Sequence, residues 1–204
     1  ATKGFRATTI RDIATRARVN VASGHYHFGS KKTLYLAVLR EQFSTVRQTL
    51  AARTAPTPPQ PGRARTRAVL EAQLRARIQA MLDLQIGPQA VYHPALLQRE
   101  MADPTEAVPI IVREFISPLM GEMSELLSEL APRTSAKEIE RCCLSITGQA
   151  YFYFMARPML LHLWGQKAYP SQLTRELAAH ITTFSLGGLD RLAHEGRRRA
   201  RASR

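Results

Sequence analysis

Apolar positions recur at three- and four-residue intervals along nearly the whole chain, and no stretch alternates between hairpin turns, so the pattern predicts an all-α protein. Ile10, Ile13, Ala14 and Ala17 make the buried side of an early helix, opened by Thr9 with Asp12 three residues on in a capping box. The chain then turns through Arg18 and Val19, and Asn20 caps a second helix running to about Phe28, with Val19 and Phe28 as inward anchors. Gly29 stops that helix and Ser30 caps the next, which continues through Leu34, Leu39, Phe43 and Val46 to about Arg53.

After Arg53 come four prolines in nine residues (Pro56, Pro58, Pro59 and Pro61), a stretch that cannot be helix and is expected extended and exposed. Helical spacing resumes over about 64–86, ended by Gly87-Pro88, then over 94–101 and over 105–130, where Pro109 and Pro118 force a break or kink. Ser135 and Glu138 form a second capping box that opens a helix to Met155, and Pro170-Ser171 opens a last long helix ending near Gly196. About nine helices result. They divide as a smaller N-terminal helical domain with connecting helix (1–53), a proline-rich linker (54–66), a larger helical domain (67–196) and a basic tail (197–204).

Two short helices meeting at a sharp turn and followed at once by a third make a helix-turn-helix, whose second helix enters the major groove. The outward residues suit contact with DNA. They are Thr9, Arg11, Ser23, His25, Tyr26 and His27, with Lys31 and Lys32 at a helix N-terminus that can approach a phosphate. A helical hairpin with a solvated basic face fits the generic pattern equally well.

The charge distribution bears on that choice. Of the net +13, residues 1–53 hold 10 Lys and Arg against 2 acids, residues 54–190 hold 13 against 13, and residues 191–204 hold 6 against 1. An excess confined to the two ends reads as an electrostatic footprint for nucleic acid at the N-terminal cluster. The arginine-rich end follows the last long helix, lacks the apolar residues needed to fold by itself and reads as a solvated tail. The two cysteines, Cys142 and Cys143, are sequence neighbours, which rarely form a structural disulfide. With no apolar run near the roughly 20 residues of a membrane span, a cytoplasmic location is expected.

The string Gly4-Phe5-Arg6-Ala7-Thr8-Thr9-Ile10-Arg11-Asp12-Ile13-Ala14, then Val19-Asn20-Val21-Ala22 and Tyr26-His27-Phe28-Gly29-Ser30-Lys31, resembles the DNA-binding domain of the TetR/AcrR repressors over residues 4–40. The resemblance implies that Thr9, Tyr26, His27, Lys31 and Lys32 hold phosphates, while Arg11, Val21, Ala22, Ser23 and His25 lie nearest the base edges. Arg18 stands where the family has a turn glycine, which implies a looser turn or a non-glycine residue in an unusual conformation. Gly24 replaces an apolar residue, loosening the recognition helix by about 1 kcal/mol in propensity. Only Ala1 to Lys3 stand where the family has a helix before Gly4, so a truncated start, with Ile10, Ile13 and Phe28 exposed, is expected.

Further along, Leu96-Leu97-Gln98-Arg99-Glu100-Met101-Ala102-Asp103-Pro104-Thr105, with Glu114-Phe115-Ile116-Ser117-Pro118 and the late His180–Gly188 stretch, resembles the C-terminal domain of the CecR-type branch. That resemblance implies a helical domain for ligand sensing and dimerisation. Candidate pocket residues are Tyr92, His93, Met101, Phe115, Met120, Tyr151, Phe152, Met155 and Trp164, an aromatic and methionine set broken by prolines and suited to an apolar or aromatic effector. At helical spacing the same residues serve equally as plain core.

Ile139, Cys142, Cys143, Ile146 and Ala150 on one helix, with Leu173, Leu177, Ile181, Phe184, Leu186, Leu189 and Leu192 on the last, exceed one buried face each and suggest a four-helix dimer interface. Gly187-Gly188 is read as a close-packing site. The histidines and cysteines show no HxxxH or CxxC spacing, so no metal and no cofactor is expected. GxSxG, GxGxxG, GxxxxGK and HExxH are absent, which argues against an enzyme. The reading is a cytoplasmic, homodimeric, ligand-responsive repressor that binds double-stranded DNA at a palindromic operator. A sequence-independent architectural DNA-binding protein is the alternative.

Overall fold

The computed structural model describes residues 4–54, 65–87 and 93–202; within these, the side chains of residues 4, 23–25, 93–95 and 200–202 are not described. Among the described residues the chain is helical throughout, with no strand. The helices are α1 (Gly4–Ala7), α2 (Ile10–Ala17), α3 (Val21–Phe28), α4 (Lys31–Thr54), α5 (Arg67–Ile86), α6 (His93–Ala102), α7 (Val108–Ile111), α8 (Ser117–Leu130), α9 (Ala136–Met155), α10 (Arg157–Leu163) and α11 (Leu173–Ala202). A five-residue π-helix, Val112–Ile116, joins α7 to α8. The proline-rich stretch 55–64 lies outside the described residues.

The chain forms two compact units, Ala1–Gln48 with Tyr92–Phe115, and Thr49–Val91 with Ile116–Arg204. Residues 93–115 therefore pack with the N-terminal helices, although they follow the proline-rich stretch in sequence. The link is specific. Phe115 stacks on Phe43 of α4 with ring centroids 4.4 Å apart, and Arg40 grips Glu114 through Nε (3.0 Å) and Nη2 (3.2 Å). That grip holds the Glu114 carboxyl below its usual range, because Arg40 and then Arg113 favour the charged form.

The interruption expected near Pro118 takes the form of this π-helix, whereas Pro109 sits in the first turn of α7, where no intrahelical N–H is needed. Pro118 has no N–H to return to the carbonyl of Glu114 four residues back, and its ring would crowd that carbonyl in an α-helix. The widened turn removes the clash, and the Glu114 carbonyl accepts from Arg47 Nη1 at 3.5 Å instead.

In the second unit, α5 and α11 run antiparallel, tied by Arg67 to Asp190 at one end and by Gln79 to Thr174 (3.0 Å) at the other. The apolar faces close on one core: Leu70, Leu74, Ile78 and Leu82 from α5, Met123, Leu126, Leu127 and Leu130 from α8, Ile139, Cys143, Ile146 and Ala150 from α9, and Leu177, Ile181 and Leu189 from α11. Each fully buried leucine or isoleucine here is worth about 1.5–3 kcal/mol. The Ser135–Glu138 capping box is formed, as expected. Burial pushes the Cys142 and Cys143 thiols up, and both are free.

The last helix does not end near Gly196 but runs to Ala202. Gly196 reads as a helix stop, yet it serves close packing: a Cβ there would lie 2.6 Å from the carbonyl oxygen of Arg133, in the turn between α8 and α9. Beyond it the backbone stays helical to Ala202, with Arg197, Arg198 and Arg199 exposed and Arg199 Nη1 bonded to Glu138 at 3.1 Å.

Candidate nucleic-acid interface

The reading head is built by local signals that the structure realises in detail. Thr9 Oγ1 accepts the Asp12 N–H at 3.0 Å while Asp12 Oδ2 accepts the Thr9 N–H at 2.9 Å, a complete capping box that starts α2. The turn to α3 passes through Arg18 at φ 57° and ψ 39°, a left-handed conformation that costs a non-glycine residue about 1–2 kcal/mol. There the Arg18 N–H reaches Thr15 O (3.2 Å) and the Val19 N–H reaches Ala14 O (3.0 Å), which closes the end of α2. Asn20 Oδ1 then accepts the Ala22 N–H at 2.9 Å and starts α3. Gly29 ends it at φ 68°, and Ser30 Oγ caps α4 through the Thr33 N–H at 3.1 Å.

Two expectations about this head need correction. Val19 and Phe28 are 53% and 38% exposed, so neither is an inward anchor. The aromatic of the short α1 goes elsewhere: Phe5 packs on Tyr35 of α4 at 4.8 Å, and among the described residues none buries Val19 or Phe28. Ile10 and Ile13, by contrast, are half-buried, and Ala14 is buried.

Arg11, Val21, Ala22, Tyr26, His27 and Lys32 are exposed, Tyr26 most of all at 87%. Tyr26 and His27 meet edge to face at 5.3 Å, which orients both rings. Ser23 and His25 belong to α3, but their side chains lie outside the described residues. Thr9 is exposed, with its hydroxyl proton given to Asp12 Oδ2 at 2.8 Å. Lys31 is placed differently. Its Nζ donates to the carbonyls of Phe5 (2.9 Å) and Thr8 (3.1 Å) and sits 4.4 Å from the Phe5 ring centroid, clamping the start of α4 to the end of α1.

Sequence spacing pointed to none of the partners beyond α4. Glu100, only 4% exposed, accepts from the Tyr35 hydroxyl (2.6 Å) and from the Thr105 N–H (3.1 Å) and hydroxyl (2.8 Å), so the buried carboxylate is fully met. Burial first, and that hydrogen bond second, push the Tyr35 hydroxyl well above its ordinary pKa. Lys32 pairs with Glu106, and Arg6 with Asp103 at 3.2 Å. A groove of about 520 Å³ runs beside these pairs, lined by Phe5, Tyr35, Leu36 and Pro104 among others. Apart from Glu100 and Thr105, these partners are 65 or more residues apart in sequence, and no local pattern announces them.

Of the candidate effector residues, Met101 and Phe115 belong to the first unit, Met101 exposed and Phe115 committed to Phe43. Met120, Tyr151, Phe152, Met155 and Trp164 belong to the second; Met120 and Tyr151 are half-buried, and the other three are exposed. Tyr92 lies outside the described residues, as does the side chain of His93. The Tyr151 hydroxyl is buried with no hydrogen-bond partner among the described residues. Among the described residues no three of His, Cys, Asp and Glu gather as metal ligands, and no helix is long and apolar enough to cross a membrane.

A capped, exposed and basic helix-turn-helix joined to a larger helical domain defines a transcriptional regulator of the helix-turn-helix class. The family model for bacterial regulatory proteins of the tetR family matches residues 1–38, and that for the C-terminal domain of the HTH-type transcriptional dual regulator CecR matches residues 70–189. The chain belongs to the TetR family, with a C-terminal domain of the CecR type. It is 35% identical over 132 residues to the HTH-type transcriptional dual regulator CecR of Shigella flexneri. That match covers 61% of this chain and 56% of the relative, so the chain spans little more than half of that protein's length.

Proposed function

We propose that the protein is a cytoplasmic, dimeric repressor that binds a palindromic operator and releases it when a small apolar or aromatic effector occupies the second unit. In this reading Arg11, Val21, Ala22, Ser23 and His25 face base edges, while Thr9, Tyr26, His27 and Lys32 hold phosphates. The buried, unpartnered Tyr151 hydroxyl supports an effector that carries one hydrogen-bonding group on an apolar body. The Shigella flexneri relative is described as a dual regulator, which supports one operator-binding event lowering transcription at some promoters and raising it at others.

The observation that carries dimerisation is a pair of outward faces. Ile139, Cys143, Ile146, Leu177, Ile181 and Leu189, expected at the interface, are spent on the unit's own core. The same helices expose a second face: Leu144 (58%), Gly148, Phe152 (55%) and Met155 on α9, and Phe184 (68%), Gly187 and Gly188 on α11. Within the chain a Cβ at Gly148, Gly187 or Gly188 would meet nothing within 4 Å, so the close-packing reading of Gly187-Gly188 fails inside one protomer. Mid-helix glycine costs about 0.5–1 kcal/mol against alanine, and a second copy approaching closely offsets that cost.

Sedimentation of the wild type should give a dimer, and Phe184→Glu should give a folded monomer with no operator preference. A wild type that sediments as a monomer at micromolar concentration while retaining palindrome preference would sink the reading. Footprinting should show two protected half-sites separated by whole helical turns.

A further inference from the structure

Lys32, expected to face phosphate, and Arg6, a second exposed cation of the same unit, are in this structure already answered from within. Lys32 on α4 pairs with Glu106, and Arg6 on α1 pairs with Asp103; both acids lie on the connection between α6 and α7, and all four residues belong to the first unit. The side chains are 54% and 76% exposed in the first pair and 72% and 60% in the second. Exposed pairs of this kind are weak and screened by salt, so they add little to stability and a phosphate can displace them. Yet a carboxylate beside each cation lowers the local positive potential that DNA would meet.

The segment's attachment fixes the acids where they act. Glu100 anchors Thr105 by two hydrogen bonds, Thr105 Oγ1 accepts the Ala107 N–H at 3.1 Å, and Ala107 is 2% exposed. With the Asp103 N–H also bonded to Arg99 O at 2.8 Å, Asp103 and Glu106 project from a backbone pinned on both sides of Pro104. The groove of about 520 Å³, which Glu106 lines together with Arg6 and Lys32, leaves room for the Glu106 side chain to swing off its cation, while the Asp103 side chain is 60% exposed.

We propose that Asp103 and Glu106 act as intramolecular phosphate substitutes, competing with DNA for Arg6 and Lys32 and so setting the affinity of the reading head. The proposal rests on the DNA-binding reading of this unit. It makes the α6–α7 connection an affinity determinant without touching base recognition.

The test uses the full chain and a fluorescent random-sequence duplex of about 25 base pairs at low and moderate salt. Glu106→Gln and Asp103→Asn should each tighten binding roughly two- to fivefold at low salt. The gain should shrink as salt rises. The deciding measurement is a double-mutant cycle: in a Lys32→Gln background, Glu106→Gln should change the affinity less than about 1.5-fold. Equal tightening with and without Lys32 would show only a long-range charge effect and overturn the proposal, as would no tightening in either. A wild type that fails to bind duplex at all would instead count against the DNA-binding reading. Thermal unfolding of each variant within a few degrees of wild type keeps the comparison about binding.

Discussion

Lys31 is the residue whose expected role the structure changes most, and Lys31→Ala separates the two accounts. As a phosphate contact, its loss should weaken all duplexes alike and make the salt slope shallower by about 0.9, the share of one phosphate. As a clamp, its loss removes two hydrogen bonds from a charged donor, at 2.9 and 3.1 Å, and one cation–π contact at 4.4 Å. Bonds to charged groups are worth about 1.5–3 kcal/mol each and an exposed cation–π contact about 0.5–1. The three share one ammonium and one partly solvated site, so the sum is not additive; about 2–3 kcal/mol is the reasonable expectation. Because the two units need not unfold together, the loss is best read locally, by amide hydrogen exchange. Protection in α1 and the first turns of α4 should fall by roughly 30- to 150-fold, with the salt slope unchanged. Unaltered exchange together with a shallower slope would refute the clamp and restore Lys31 to the phosphates.

Other substitutions test neighbouring steps. Arg18→Gly relieves the left-handed strain but loosens the unfolded chain, for a net gain of about 0.5–1 kcal/mol; thermal unfolding that shows a loss would mean the arginine side chain itself supports the turn. Arg11→Ala should relax preference at one operator position by about 1–3 kcal/mol in competition binding, whereas a uniform loss across sequences would make Arg11 a phosphate contact. Gly196→Ala forces a methyl against Arg133 O and should cost about 1–3 kcal/mol by chemical denaturation, while Gly121→Ala, where a Cβ meets nothing, should be neutral or stabilising.

The reading head was legible because its signals are local: the Thr9–Asp12 box, the Asn20 cap and the Gly29 stop each act within four residues. The left-handed Arg18 was foreseeable only as a glycine position held by another residue. The Lys31 clamp was not legible because a cation at a helix N-terminus looks solvent-facing in sequence, while the carbonyls it meets lie 23 and 26 residues back. The core of the second unit followed helical periodicity, since Leu70, Leu74, Ile78 and Leu82 repeat every four residues. Periodicity could not assign residues 93–115 to the first unit, because apolar spacing marks a face without naming its partner. Nor could it sort the core face of α9 and α11 from the exposed one, as both carry apolar residues.

The close approach of Gly196 to Arg133 bears on sequence variation. Arg133 holds its carbonyl there by sitting at φ 74°, a conformation that glycine or asparagine adopts at less cost. Positions 133 and 196 therefore form one constraint spread over two places: among related chains, a side chain at 196 should appear only where the turn at 131–134 has changed length or course. Substitutions at 133 should instead drift toward glycine or asparagine while 196 stays glycine. A set of relatives in which 196 varies freely beside an unchanged turn would mean that the last turns of α11 pack differently in them.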